Sequence, residues 1–406
     1  NEKQNLNVSP KFNKQIYTNN NSRLSQSQVG DTQLNVDEST VTNVNRSNFK
    51  LKAIYDVKLD SVNSLKITAN SNFYDTESDE FTNGTTTGSD GILKNKQQRA
   101  FTTNSDKAVL FTSVLFKHKF AKPRRTFTVN SSWNMMNTNS NNFLKSSNES
   151  YVNGVFDTKN EIDQNKIGDK TTKNFSASFS YSEPIAKQFS LQFSYQIAFD
   201  KGKNNYFTYD YSANTGQYDQ LVASLSNEFD QAIITHRPNL KLSYNAKKIN
   251  YSIGSGFGFT SFDLLDKTMN KEYKRSYTNF FPSASFSYKY KSNSNLRVNY
   301  YGRTIQPTLD QLQPLRNNQD FFNQTLGNPD LKQSFNNRIE IFQSSYDMLT
   351  ETQFYQGIYF NTTTNAIIYS SIIDPESAKT ISKPINTNGN FSGNFYLGYG
   401  LKFNKI

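Results

Sequence analysis

The stretch Phe189-Ser-Leu-Gln-Phe-Ser-Tyr-Gln-Ile-Ala-Phe199 alternates strictly. Phe189, Leu191, Phe193, Tyr195, Ile197 and Phe199 take one parity; Ser190, Gln192, Ser194, Gln196 and Ala198 take the other. Successive side chains of a strand point to opposite faces, so this spacing predicts a strand with one apolar, uncharged face. Upstream, Phe175, Ala177, Phe179 and Tyr181 alternate with Ser176, Ser178, Ser180 and Ser182. The intervening Glu183-Pro-Ile-Ala-Lys187 reads as a tight turn, and the whole as a hairpin.

The unit recurs. Phe49, Leu51, Ala53, Tyr55, Val57 and Leu59 lead through Asp60-Ser-Val-Asn-Ser64 to Leu65, Ile67, Ala69 and Phe73. Residues 108–120 and 126–137 turn at Ala121-Lys-Pro-Arg124, and 239–245 turns into 249–259 at Ala246-Lys-Lys248. Residues 284–290 and 296–300 turn at Lys291-Ser-Asn-Ser294, and another turn falls near Asp347-Met-Leu-Thr350. Phe395, Leu397, Tyr399, Leu401 and Phe403 form a last run. With a weaker strand near 15–24, about fourteen strands are expected. Long polar segments separate the hairpins, at 25–47, 75–106, 138–171, 200–230, 264–275, 306–333 and 369–387. Their Asn, Thr, Ser, Asp and Gly content reads as solvated loop.

Short turns alternating with long loops are the habit of outer-membrane barrels, whereas loops in compact soluble domains have medians of about 4–6 residues. At ~3.3 Å per residue and ~40° tilt, Phe189 and Phe199 stand roughly 25 Å apart along a membrane normal, the separation of two aromatic girdles. The expected fold is an all-β, antiparallel transmembrane barrel, with Phe189, Leu191, Phe193, Tyr195, Ile197 and Phe199 facing lipid. A soluble sandwich alternates too, but its strands average about 5–6 residues.

Composition agrees. The 406 residues are 34% hydrophobic yet include 24 Tyr and 33 Phe, with 19% charged residues and net charge +11. Low hydrophobicity with many aromatics is not the signature of disorder. No run approaches the ~18–20 apolar residues of a membrane helix. Zero cysteines exclude a disulfide framework, a thiolate metal site and a cysteine nucleophile. His118, on the face of Val114, Phe116 and Phe120, reads as an interfacial residue, and His236, before Arg237-Pro238, as a strand start with no carboxylate at catalytic spacing. Gly254, Gly256 and Gly258 read as small inward residues of a barrel wall. Asp75, Glu77 and Asp79 mimic the first ligands of a calcium loop, but Glu80 replaces the required Gly, and Asp219, Glu228 and Asp230 have no ligand spacing. No enzyme, metal or cofactor is expected.

Lys50, Lys52 and Lys58 lie opposite the Phe49–Leu59 face, and Lys241 opposite Leu240 and Leu242. If the apolar face meets lipid, these four line the lumen, facing anionic substrate or an acidic segment inside the barrel. Basic residues near the rim could instead meet lipopolysaccharide phosphates. Nucleic acid is set aside, because the aromatics keep to one face of long strands.

From Asn299 to Asn336 the sequence carries more than periodicity. Asn299-Tyr-Tyr-Gly-Arg303 is followed by Pro307, Leu312, Pro314 and then Gly327-Asn-Pro-Asp-Leu-Lys332. This resembles the late-barrel signature of TonB-dependent outer-membrane receptors of the Bacteroidetes type. The matching residues are Arg303, Pro307, Leu312, Pro314, Gly327, Asn328, Pro329, Leu331 and Lys332; Gln333 and Ser334 depart from the family's Pro and Glu. Pro and Gly-Asn here read as loop punctuation, Gly-Asn supplying positive-φ positions. The resemblance implies a 22-stranded barrel in the outer membrane, an N-terminal plug and energising through TonB. Residues 1–406 then read as barrel wall with no plug domain, an internal piece of a longer protein. The expected function is uptake of a bulky nutrient, with 200–230 and 306–333 capturing ligand outside. A scaffold barrel and a secreted β-rich adhesin are the alternatives, and a surface lipoprotein or another outer-membrane subunit is a further candidate partner.

Overall fold

The computed structural model describes residues 3–29, 32–312 and 316–402. Its strands are β1 (Gln4–Val29), β2 (Thr32–Lys58), β3 (Asn63–Gly88), β4 (Leu93–Lys119), β5 (Thr126–Val152), β6 (Val155–Pro184), β7 (Phe189–Ser212), β8 (Gln217–Leu221), β9 (Asn227–Asn245), β10 (Ile249–Asp266), β11 (Lys271–Lys291), β12 (Ser294–Ile305), β13 (Arg316–Asn317), β14 (Asn323–Leu326), β15 (Ser334–Asp347), β16 (Thr352–Thr364), β17 (Ala366–Ile373), β18 (Thr380–Thr387) and β19 (Asn390–Gly400). Among the described residues there is one short α-helix, α1 (Leu309–Leu312), and one 3-10 turn at Ala223–Leu225.

The main sheet follows the order β1-β2-β3-β4-β5-β6-β7-β9-β10-β11-β12-β15-β16-β19, with β8 folded back on β7. That path is an antiparallel meander of fourteen strands. Its short turns fall where sequence placed them. At two of them an aspartate caps the reversal. Asp60 Oδ1 accepts the amides of Val62 and Asn63 at 2.8 and 2.7 Å, and Asp347 Oδ1 accepts those of Leu349 and Thr350.

The opposite ends correct the sequence reading. Segments 25–47, 75–106, 138–171, 200–230 and 264–275 are for the most part not loops but the far halves of the strands. β1 to β6 run 26 to 30 residues each. A strand of that length rises roughly 70 Å at ~40° tilt, far beyond a ~25 Å apolar band. These halves have polar residues on both parities, so no alternation marks them. Their backbones remain paired, and reversals such as Asn153-Gly154 (φ 51° and 77°) close them tightly.

Pairing register carries one face across the whole meander. Phe49 stands opposite Phe12 and Phe73, Ile67 opposite Val114, and Trp133 opposite Phe175. Phe175 stands opposite Phe199, Ile197 opposite His236, Tyr251 opposite Phe286, and Ile358 opposite Phe395. Residues directly opposite share a face, so the aromatic band is continuous from β1 to β19. We call it the outward face. On β10 the contrast is plain: Ile253, Phe257 and Phe259 are exposed, whereas Gly254, Gly256, Gly258, Thr260, Phe262 and Leu264 are buried.

The three glycines do not leave open space. A Cβ at Gly258 would stand 2.5 Å from Phe281 Cε2, and one at Gly256 2.8 Å from the Pro238 carbonyl oxygen. The ring of the neighbouring strand fills the place of the missing side chain. His236 is not at a strand start but inside β9. Pro238 lies within the same strand opposite Tyr195, and the ladder to β10 lapses between Asn239 and His236. A proline has no N–H to give that ladder.

Segments 306–333 and 369–387 are not free loops either. They contribute α1 and a second sheet of order β13-β14-β18-β17, with β14 and β18 parallel. This insertion packs on the inward face. Leu309, Leu312 and Leu331 bury themselves among Phe229, Ile233, Phe262 and Leu264 of the wall.

Candidate functional site

The inward face beneath the insertion is where buried polar chemistry gathers. Arg99 on β4 donates to Glu80 Oε1 on β3 at 3.0 Å and lies 3.5 Å from the Asp320 carboxylate of the insertion. Gln97 reaches both Asp320 Oδ1 (3.2 Å) and Asn148 Oδ1 (2.9 Å). On β6, Lys166 donates to Asn318 Oδ1, and Asn318 Nδ2 donates to Gln164 Oε1 at 3.0 Å. Gln164 Nε2 in turn donates to Asp210 Oδ1 at 2.8 Å. Further along β6, Lys170 meets Asp310 at 2.8 Å. All these wall residues share the parity of Phe262 and Ile233, because register continues that face from strand to strand.

Lys166 stands well beyond the aromatic band and keeps 2% of its surface exposed. Burial pushes its ammonium down to about 8, with the Asp210 charge opposing the shift. Beside this network a cavity of about 1190 Å³ is lined by Arg99, Ser146, Gln164, Asp210, Phe321 and Gln324 among others. Its donors and acceptors suit a polar ligand, and its aromatic edge a stacked or apolar group.

The signature residues play a structural part. Asn328 donates its amide to the Gln311 carbonyl (2.6 Å) and Nδ2 to the Pro384 carbonyl (2.9 Å), joining α1 to β18. Arg275 of β11 donates to the carbonyl oxygens of Pro329 and Leu331. Leu312 and Leu331 are core, Pro307 and Gly327 are buried, and Arg303 and Lys332 are exposed. The Lys332 amide meets Asn386 Oδ1 at 2.8 Å. Pro314 lies outside the described residues, as does Phe403. Contrary to the sequence reading, neither Gly327 nor Asn328 is among the positive-φ positions; the side chain of Asn328, not an unusual backbone, makes the corner. The departure at Gln333-Ser334 does not delay the next strand, because Ser334 opens β15 and donates to the Asn365 carbonyl at 2.7 Å.

Lys50, Lys52 and Lys58 lie on the inward face of β2, and Lys241 on the inward face of β9. The structure does not bring these four into one site. Phe189, Leu191, Phe193, Tyr195, Ile197 and Phe199 all take the outward face of β7. His118 Nδ1 meets Asn63 Oδ1 at 2.7 Å and His236 Nδ1 meets the Tyr195 hydroxyl at 2.6 Å, both on the outward face. Asp75, Glu77 and Asp79 alternate along the outward side of β3; Glu77 accepts from Asn45 and Asp79 from Thr102. Sequence reasoning missed Arg99, Gln164, Lys166 and Asp320, because nothing local in their neighbourhoods marks them. Only pairing of distant strands assembles them.

Solved structures of similar shape point one way. The structure matches "Copper transporter OprC" with TM-score 0.51 and 9% identity, over 97% of this chain and 61% of that one. It matches the ferripyoverdine receptor of the outer membrane of Pseudomonas aeruginosa with TM-score 0.50 and 9% identity, over 99% of this chain and 54% of that one. These identities show shared fold alone, and the chain spans less than two thirds of either protein. No curated protein sequence matches. A family profile does match, over residues 118–406, and it places the protein in the outer membrane. The chain belongs to the outer membrane protein β-barrel family.

Proposed function

We propose that residues 1–406 are barrel wall of a TonB-dependent receptor-like transporter, of the Bacteroidetes type, that takes a bulky nutrient across the outer membrane. The observation that carries this reading is the single apolar face running in register through fourteen strands, backed by a polar face with a folded insertion on it. On this reading Phe189, Leu191, Phe193, Tyr195, Ile197 and Phe199 meet lipid. Lys50, Lys52, Lys58 and Lys241 line the lumen, where they attract anionic groups. Among the described residues β1 and β19 are the edges of the main sheet, and hydrocarbon does not tolerate an open edge; on this reading the wall is part of a 22-stranded barrel. A plug carries the TonB contact, and a surface lipoprotein or another outer-membrane subunit can dock at the long-strand end. Segment 306–333, anchored to the inward wall, lines the substrate path rather than reaching outside.

Uptake tests it. Cells lacking the full-length protein should lose import of one bulky nutrient, and an uncoupler should abolish import in wild type. Undiminished import of every nutrient tried, with the barrel present in the membrane, would favour a scaffold. The clasp of Arg99 on Asp320 and of Lys166 on Asn318 supports that second reading, since it fixes the insertion across the lumen side.

A further inference from the structure

We infer that the outward face carries a phosphate site for a glycolipid of the outer leaflet, built on Lys173 and Lys201. The two lysines are register partners on β6 and β7, one step past the Phe175–Phe199 pair. Those rings lie 6.2 Å apart at the edge of the aromatic band. Both lysines are exposed, and among the described residues neither has an ion-pair partner. Like charges directly opposite one another destabilise a strand pair. A side-chain hydroxyl or amide, as at Ser47 and Asn137 elsewhere along this border, would avoid that repulsion. An anion held between the two ammonium groups removes it.

The surroundings add a third cation. Lys203 is the next outward residue of β7, opposite Thr171 on β6 and Asp230 on β9. Asp230 is already bound to Lys267 at 2.7 Å. The three lysines and Thr171 border a cavity of about 560 Å³. Its other acids are Asp169, Asp263 and Glu272, the last held by Lys274 at 2.8 Å. Lysine serves phosphate as a point charge, and two on register-paired positions can reach different oxygens of one group. The position selects the source. On the reading that the aromatic face meets lipid, on which this inference rests, the site lies level with headgroups at the long-strand end. There the phosphorylated lipid is the lipid A part of lipopolysaccharide.

The test uses the full-length protein, stripped of native lipid and placed in phosphatidylethanolamine vesicles containing bisphosphorylated lipid A. Retained lipid A is counted after the protein is re-isolated. K173A/K201A should retain at least tenfold less than wild type, and K173Q/K201Q should match it, since each lysine near an anionic lipid surface contributes roughly a factor of five or more. K247A/K248A, the same charge loss at a short turn, should retain as much as wild type. Lipid A without phosphates should be retained no better by wild type than by K173A/K201A. Equal retention of phosphorylated lipid A by wild type and both double variants overturns the inference. So does displacement of lipid A by millimolar inorganic phosphate, which would mark a free-phosphate site. Failure of wild type itself to stay with vesicles would instead overturn the lipid-face reading.

Discussion

Arg99 and Asp320 join the wall to the segment folded on it, guanidinium to carboxylate at 3.5 Å, with both side chains at least four-fifths buried. The same guanidinium holds Glu80 at 3.0 Å, so one cation bridges two strands and an insertion more than two hundred residues away in sequence. Asp320→Ala should loosen the insertion by roughly 1–3 kcal/mol, the loss expected when a partly buried pair is broken. Hydrogen exchange should quicken at residues 317–326 and stay unchanged in β5 to β7 at the aromatic band. Unchanged protection at 317–326 would show that the pair does not hold the insertion.

Lys166 sets a pH dependence with a definite sign. Its folded pKa of about 8 lies below the usual 10.5, so the unfolded state binds the proton more tightly. Below pH 8 the full burden of a buried ammonium is present. Between about pH 8 and 10.5 the folded state sheds its proton first, and stability of the insertion rises. Lys166→Met should abolish that rise, read as insertion protection measured at pH 7.5 and 10. A variant with the same pH dependence as wild type would contradict the assignment.

Gly258 and Phe281 make a sharper packing prediction. A Cβ at Gly258 meets the Phe281 ring at 2.5 Å, and that ring is pinned by Arg237 at 4.3 Å and Phe335 at 5.9 Å. Gly258→Ala should therefore destabilise the wall by about 1–3 kcal/mol. Gly84→Ala, whose nearest atoms stand 3.9 Å away, should fall within about 0.5 kcal/mol of wild type. Urea unfolding in lipid vesicles compares the two.

Sequence makes half of each strand legible and hides the other half for a physical reason. Phe189 to Phe199 alternates because one side contacts an apolar medium and the other does not. Farther along β7, Lys201, Lys203 and Asn205 face out while Gly202 and Asn204 face in, so both faces are polar and no period survives. The strand continues there because its neighbours still pair its backbone. The insertion was hidden similarly: β14 and β18 are short, polar and paired in parallel across more than fifty residues. The signature loop was recognisable as a pattern, yet its role in anchoring α1 to β18 through Asn328 needed the partner strand. Lys173 and Lys201 become a pair only once the register of β6 on β7 is known.

Trp133 offers the most direct measurement. It is the chain's single tryptophan, 49% exposed on the outward face, opposite Thr112 and Phe175. Fluorescence of the full-length protein in vesicles, minus that of its Trp133→Phe variant, isolates this one indole. If the aromatic face is the lipid-facing surface of a barrel wall, lipids brominated along their acyl chains should quench most of that signal, and aqueous iodide should leave it nearly untouched. Strong quenching by iodide with none by brominated lipid would contradict the account.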